Sequence, residues 1–226
     1  MSGIIVALDF STVEIAKGVA ERLSDTVAGF KVGLELLTGV GPRAVEDIAD
    51  LGKPVFADAK LHDIPNTVER AAANLAAAGA RWLTVHIAGG AAMIRAAAAG
   101  MGGNGVLGVT VLTSLSETDL ASVGVSSGSQ EHAMTLTRLA ADCGAEGVVC
   151  SPAEVASVST LGLVTFTPGV RPAGAESDDQ RRVATPEEAV RAGADYLVIG
   201  RPITRAADPV SAAREIAASI ARLSVQ

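Results

Sequence analysis

Asp58, Lys60 and Asp63 place three ionisable groups within six residues, directly after the apolar run Pro54-Val55-Phe56-Ala57. In an extended strand alternate side chains share a face, so Asp58 and Lys60 point the same way, and Asp63 follows just past the strand end. The expectation is that a carboxylate, an ammonium and a second carboxylate converge. Lys60 flanked by Asp58 and Asp63 would stay protonated, because opposite charges favour the charged form and each pKa unit is worth about 1.4 kcal/mol. The plainer alternative is a solvated strand end with an incidental ion pair, which would be nearly neutral in energy.

A second chemistry is written in the last quarter of the chain. Thr167-Pro168-Gly169-Val170-Arg171-Pro172 and Ile199-Gly200-Arg201-Pro202-Ile203-Thr204 each end an apolar run in glycine, arginine and proline. Backbone amides freed at glycine beside two guanidinium groups suit a phosphate, although surface arginines beside turn prolines would leave the same pattern. Between them, Ala173–Gln180 is polar, small and glycine-containing, as a lid loop would be, and Gln180 could reach a bound ligand from it. A merely mobile surface loop has the same composition.

The elements that must position these groups follow a repeating pattern. Short β-branched runs alternate with alanine-rich amphipathic segments, which is the pattern of successive βα units. Eight strands are expected, at Ile4–Asp9, Gly29–Val32, Val55–Asp58, Trp82–His86, Val106–Val111, Gly147–Cys150, Leu163–Thr167 and Tyr196–Ile199. Their near-continuous apolar character suits strands buried on both faces. Eight repeats predict a single-domain (β/α)8 TIM barrel over residues 1–226, with an open doubly wound sheet as the competing topology. Helices are expected over Val68–Ala80 and Pro186–Ala194, the second with Thr185 as N-cap, Pro186 at the first position and Glu187-Glu188 in the first turn, and Gly79 and Gly193 as stops.

In such a barrel the active site lies at the carboxyl ends of the strands. Asp9, Lys31, Asp58 with Lys60, His86, Thr113, Arg171 and Arg201 all fall there. Each alone has an ordinary reading: Asp9 as a helix cap, Lys31 as a solvated strand end, His86 as a histidine lining the barrel, which is the reading preferred for His86. Their company at one rim gives the others functional weight.

Composition limits the classes of function. The chain has 226 residues, 49% of them hydrophobic and 19% charged, with a formal net charge of −7 and a pI near 5.0. That suffices for one large core and argues against a nucleic-acid or anionic-membrane surface, both of which need a basic face. Cys143 and Cys150 are too few and too far apart for a disulfide framework, a CxxC motif or a thiolate metal site, so a reducing, cytoplasmic setting is expected. No basic leader precedes Ile4, and no apolar run approaches the span of a bilayer. The Ser-rich stretch Ser114–Ser129 reads only as a polar insertion after the fifth strand.

Taken together, these segments resemble the orotidine 5′-monophosphate decarboxylase family over essentially the whole chain: Val6–Asp9, Phe30–Gly33, Asp58–Thr67, Val109–Ser114, Thr167–Pro172, Asp179–Arg182 and Ile199–Pro202. The most specific is His62-Asp63-Ile64-Pro65-Asn66-Thr67, continuing the Asp58, Lys60, Asp63 spacing. Ala59, where relatives often carry a bulkier apolar residue, should point away from the site. The resemblance implies a cofactor-free decarboxylation of orotidine 5′-monophosphate to uridine 5′-monophosphate, in de novo pyrimidine synthesis, by a charged network of Lys31, Asp58, Lys60 and Asp63. It implies a homodimer in which Asp63 and Thr67 reach the neighbour's site. Asp9, Lys31, Asp63 and Thr67 would hold the ribose, Thr113 would lie by the base, and Arg171, Gln180, Gly200 and Arg201 would hold the phosphate, with Ile64 also among the substrate contacts.

Physical logic points the same way. Loss of carbon dioxide from a ring carbon leaves a poorly delocalised carbanion, so stabilisation must come from charge fixed before the transition state, and Lys60 can then supply the proton. Asp58 pressed toward the departing carboxylate would raise the ground state, a contribution ranked second to that preorganisation. Two other readings stay open here: a Mg²⁺-dependent sugar-phosphate enzyme of the same suprafamily, and a nucleotide-binding barrel without chemistry. His62 beside Asp63 is the weak candidate metal pair, and no HExxH motif occurs.

Overall fold

A computed structural model describes residues 2–172 and 183–225. Eight parallel strands close into a barrel in chain order: β1 Gly3–Ala7, β2 Gly29–Val32, β3 Val55–Leu61, β4 Ala80–His86, β5 Gly105–Val109, β6 Gly147–Val149, β7 Val164–Thr167 and β8 Tyr196–Ile199. The closing pair is β1 with β8, from Gly3 opposite Tyr196 to Val6 opposite Ile199. An open doubly wound sheet is thereby ruled out.

The helices are α1 Val13–Leu23, α2 Leu34–Gly39, α3 Arg43–Ala49, α4 Pro65–Ala77, α5 Ala91–Met101, α6 Glu117–Ser122, α7 Ser129–Asp142, α8 Val155–Val158, α9 Pro186–Arg191, α10 Arg201–Thr204 and α11 Pro209–Ala221. Local chemistry fixes their starts. The Thr185 hydroxyl accepts from the Glu188 amide while the Glu188 carboxylate accepts from the Thr185 amide, closing a capping box ahead of Pro186. That start is the expected one, although α9 ends at Arg191. α4 begins three residues before the expected Val68, because Pro65 is itself its first residue, and stops at Ala77 ahead of Gly79, whose φ of +91° suits glycine.

The strands alternate between two cores. Ile4, Val6 and Leu8 face outward into the main cluster under the helices, whereas Ile5, Ala7, Phe56, Trp82, Leu107, Phe166 and Val198 fill the barrel interior. There Phe166 meets Phe56 and Trp82 edge-on at 5.4 and 5.1 Å and stacks on Tyr196 at 4.7 Å. At the amino-terminal end the Trp82 indole donates to Glu146, which also accepts two hydrogen bonds from Arg81. The lower barrel is thus packed, and room for a ligand remains at the other end.

Four strand ends differ from expectation, with β1 stopping at Ala7 instead of Asp9 and β6 at Val149 instead of Cys150. β3 runs on to Leu61 instead of ending at Asp58, so Lys60 lies within the strand, and β5 ends at Val109 instead of Val111. The Ser-rich stretch is partly helical: α6 is capped by a Ser116–Asp119 box, and Leu120 joins Val111 and Ala133 in a small core of its own. Among the described residues no helix is long and apolar enough to cross a membrane.

Candidate active site

Asp58 anchors the site. It stands on β3, 8% exposed, and its carboxylate accepts from every side. Lys60 Nζ lies 2.7 Å and Lys31 Nζ 3.4 Å from Oδ2, while the Thr84 hydroxyl donates to Oδ1 at 2.9 Å. Lys31, from the end of β2, also reaches Asp9 Oδ1 at 3.0 Å. Asp9 lies just past the end of β1.

Burial pushes the Asp58 carboxyl up, but Lys31, Lys60 and the hydrogen bonds from Lys60 and Thr84 outweigh it and hold the group below the usual carboxylate range. Burial likewise works against the Lys31 ammonium, yet Asp58 and Asp9 raise it above its ordinary value. Both groups are therefore charged at neutral pH. His86, at the end of β4, is held below its ordinary value by burial, by His62 at 5.7 Å between ring centres and by Lys60, which keeps it neutral. That fits a histidine lining the barrel.

Backbone geometry departs from the ordinary at Lys60. Its φ of +47° makes it the one non-glycine residue in the left-handed region among those described, a conformation costing about 1–3 kcal/mol that persists where the surroundings enforce it. The Lys60 amide donates to the Thr84 hydroxyl at 2.9 Å. Ala59 packs against the main core, away from the cavity, as expected of the residue between two inward-facing charges.

These side chains line a cavity of about 270 Å³ at the carboxyl ends of the strands. Asp9, Lys31, Asp58, Lys60, Arg171, Gly200 and Arg201 all border it, with Thr113 and the apolar Val109, Val149 and Val198. Arg171 is tied in place by a bridge between Val170 and Ala184, its amide donating to the Ala184 carbonyl at 3.0 Å. Residues after strands seven and eight thus border the same cavity as the two lysines.

The family of the chain is decided by a match of residues 2–216 to the model of the Orotidine 5'-phosphate decarboxylase / HUMPS family. The chain belongs to that family. It is 55% identical to the orotidine 5'-phosphate decarboxylase of Anaeromyxobacter dehalogenans, over 96% of this chain and 97% of that one. It is 47% identical to that of Chromobacterium violaceum, over 95% and 90%. The crystal structure of orotidine 5'-phosphate decarboxylase from Lactobacillus acidophilus superposes with a TM-score of 0.85 at 35% identity, covering 97% of this chain and 99% of that one.

Three of the expected site residues stand apart from the rest. Asp63, Ile64 and Thr67 do not line the cavity of their own chain. All three are exposed, Ile64 at 66%, and the Asp63 carboxylate accepts from the Ile64 amide at 2.6 Å. The expected convergence of Asp58, Lys60 and Asp63 within one chain is therefore corrected: the chain turns at Asp63 to start α4, and its carboxylate goes with that turn. Gln180 and the expected lid, Ala173–Gln180, lie outside the described residues.

Two contributors escaped the sequence reading. Thr84 sits in an apolar strand with nothing local to mark it. Gly33 follows Lys31, and a Cβ there would stand 2.7 Å from Lys31 Nζ and 3.0 Å from Asp9 Oδ1, so only glycine leaves room for that pair. The doublet Val32-Gly33 at a strand end was the available signal. Among the described residues, no three His, Cys, Asp or Glu side chains gather as metal ligands do, and Cys143 and Cys150 are buried and unpaired with each other.

Proposed function

We propose that this chain decarboxylates orotidine 5′-monophosphate to uridine 5′-monophosphate and carbon dioxide, without a cofactor, in pyrimidine nucleotide synthesis. It is a carboxy-lyase, in line with its 55% identical relative. The observation that carries the reading is the 2.7 Å contact of the Lys60 ammonium with a buried carboxylate, in a cavity that two arginines also border.

The chemistry balances simply. The bond from C6 to the carboxylate breaks, its electron pair stays on C6, and carbon dioxide leaves. Lys60 transfers a proton to C6 and is reprotonated from solvent. The ammonium is in place before charge develops, so little reorganisation accompanies the reaction. Asp58 holds Lys60 by one oxygen, and Lys31 balances the carboxylate while positioning Asp9 toward the ribose. Thr113 borders the base, and Arg171, Gly200 and Arg201, together with Gln180, which lies outside the described residues, take the phosphate, whose binding energy can be spent at the reacting carbon.

A homodimer belongs to the same reading. Asp63, Ile64 and Thr67, exposed beside the mouth on α4 and the turn before it, would enter the partner's cavity. All three are exposed, so a neighbouring subunit can reach them. Free, buried cysteines support a reducing, cytoplasmic setting.

The deciding experiment follows the ultraviolet change from orotidine 5′-monophosphate to uridine 5′-monophosphate with excess chelator, for wild type and Lys60→Ala. Chelator-insensitive turnover, reduced by at least about 100- to 10,000-fold in the variant, is expected of a lost general acid. Intact activity in Lys60→Ala would overturn the mechanism. For shared sites, mixing inactive Lys60→Ala with inactive Asp63→Ala should restore about a quarter of wild-type activity through random pairing of subunits.

A further inference from the structure

The segment carrying Asp58 and Lys60 is out of step with its neighbour. Ala57 stands opposite Leu83 and Leu61 opposite Val85, so Asp58, Ala59 and Lys60 share the single partner Thr84. Bulges of this kind interrupt the ladder and re-aim side chains. Here the interruption removes the regular partner of the Lys60 amide, and the Thr84 side chain takes its place. The hydroxyl accepts from the Lys60 amide at 2.9 Å and donates its proton to Asp58 Oδ1 at 2.9 Å. Its direction is fixed, since an amide only donates and a carboxylate only accepts. Thr84 is fully buried, with relative exposure of 0%, so its hydroxyl bonds lie away from bulk solvent.

We propose that Thr84 is a positioning residue for the reaction: its hydroxyl locks the β3 bulge so that the Lys60 ammonium and Asp58 Oδ2 hold their spacing in the cavity. This rests on the decarboxylase reading above. Both lysines reach Asp58 through Oδ2, so the donor on Oδ1 sets the rotation of the carboxylate between them. Valine at position 84 would fill the same space and leave both partners unpaired. Serine would keep the bonds. A threonine serving only as strand packing predicts the reverse order, with valine the milder change.

The test compares wild type, Thr84→Val and Thr84→Ser by steady-state decarboxylation, and by hydrogen exchange at the Lys60 amide read by NMR. Expected for Thr84→Val are a kcat about 10- to 100-fold lower, as small misplacements of reacting groups give, with KM changed less than about threefold, and faster Lys60 amide exchange. Thr84→Ser should stay within about threefold of wild type in kcat and keep its amide protected. A Thr84→Val kcat within threefold of wild type, a change in KM alone, or equal losses in both variants would overturn the proposal. Should Thr84→Val fail to fold, Thr84→Cys takes its place: the weak thiol donor should lose activity that serine keeps. A wild type that does not decarboxylate overturns the activity reading, while amide exchange still judges the hydroxyl lock on its own.

Discussion

Asp58 accepts from Lys31, Lys60 and Thr84 at once, and each of these donors comes from a different strand. Asp58→Asn would leave two ammoniums facing each other across a mostly buried gap. Breaking buried pairs in this way costs about 3–5 kcal/mol, and the lower end is expected because Asp9 still faces Lys31. Thermal or urea unfolding measures it. The pH dependence of stability follows from the same groups. Asp58 has its folded pKa lowered, so its contribution is present above the unfolded value near 3.9 and is lost as pH falls through the folded value. Lys31 has its folded pKa raised, so its contribution holds below about 10.4 and disappears as pH rises beyond it. A Tm profile should therefore be flat for these two groups between those limits, and Asp58→Asn should remove the acid-side slope. Gly33→Ala makes a third case. It crowds the movable end of Lys31, so kcat/KM should fall about tenfold for ~1.4 kcal/mol of misplacement while Tm shifts little. Asp9, Lys31, Asp58 and Lys60 were legible because charge at the end of an apolar run is conspicuous; Thr84 and Gly33 were not, because their partners lie on other strands or two residues back.

At the scale of elements, the strands and their order were legible from alternating apolar runs and helical segments, since each parallel strand is covered on both faces. The extent of β3 was not: a bulge needs knowledge of the partner strand, and the sequence of β3 alone reads as a strand ending in charge. The Ser114–Ser129 stretch hid a helix for a related reason. α6 has only six residues, too few for a periodic signal, and is held by its Ser116–Asp119 cap and by Leu120 against Val111 and Ala133. Leu120→Ala should cost about 2–5 kcal/mol locally. Because Val111, Leu112 and Thr113 border the cavity, loosening this satellite core should raise KM more than it lowers kcat, which steady-state kinetics can separate.

For the whole molecule, a net charge of −7 coexists with a cavity lined by Lys31, Lys60, Arg171 and Arg201 alongside Asp9 and Asp58. Among the described residues, the cavity gathers four positive groups against two negative ones, which favours an anionic substrate there. Exposed charges are screened over about 8 Å at 0.15 M salt, so kcat/KM for a phosphorylated substrate should fall with added salt while kcat holds. The surface charge was legible from composition, but its segregation needed the closed barrel to bring strands two, three, seven and eight to one rim. Arg201→Ala should lower kcat/KM by about 10- to 100-fold, the range of a lost charged hydrogen bond of ~1.5–3 kcal/mol.

The packed rings of Phe56, Trp82, Phe166 and Tyr196, with Arg81 and Glu146 beneath them, turn the barrel from a tube into a cup. Whatever enters at the rim must leave by the rim. Under the proposed reaction, a small gas and a bulky nucleotide are released into a vessel with one doorway, and the gas is the product able to slip past while the nucleotide is still clamped by its phosphate. Departure is then ordered by size and tether, the gas ahead of the nucleotide.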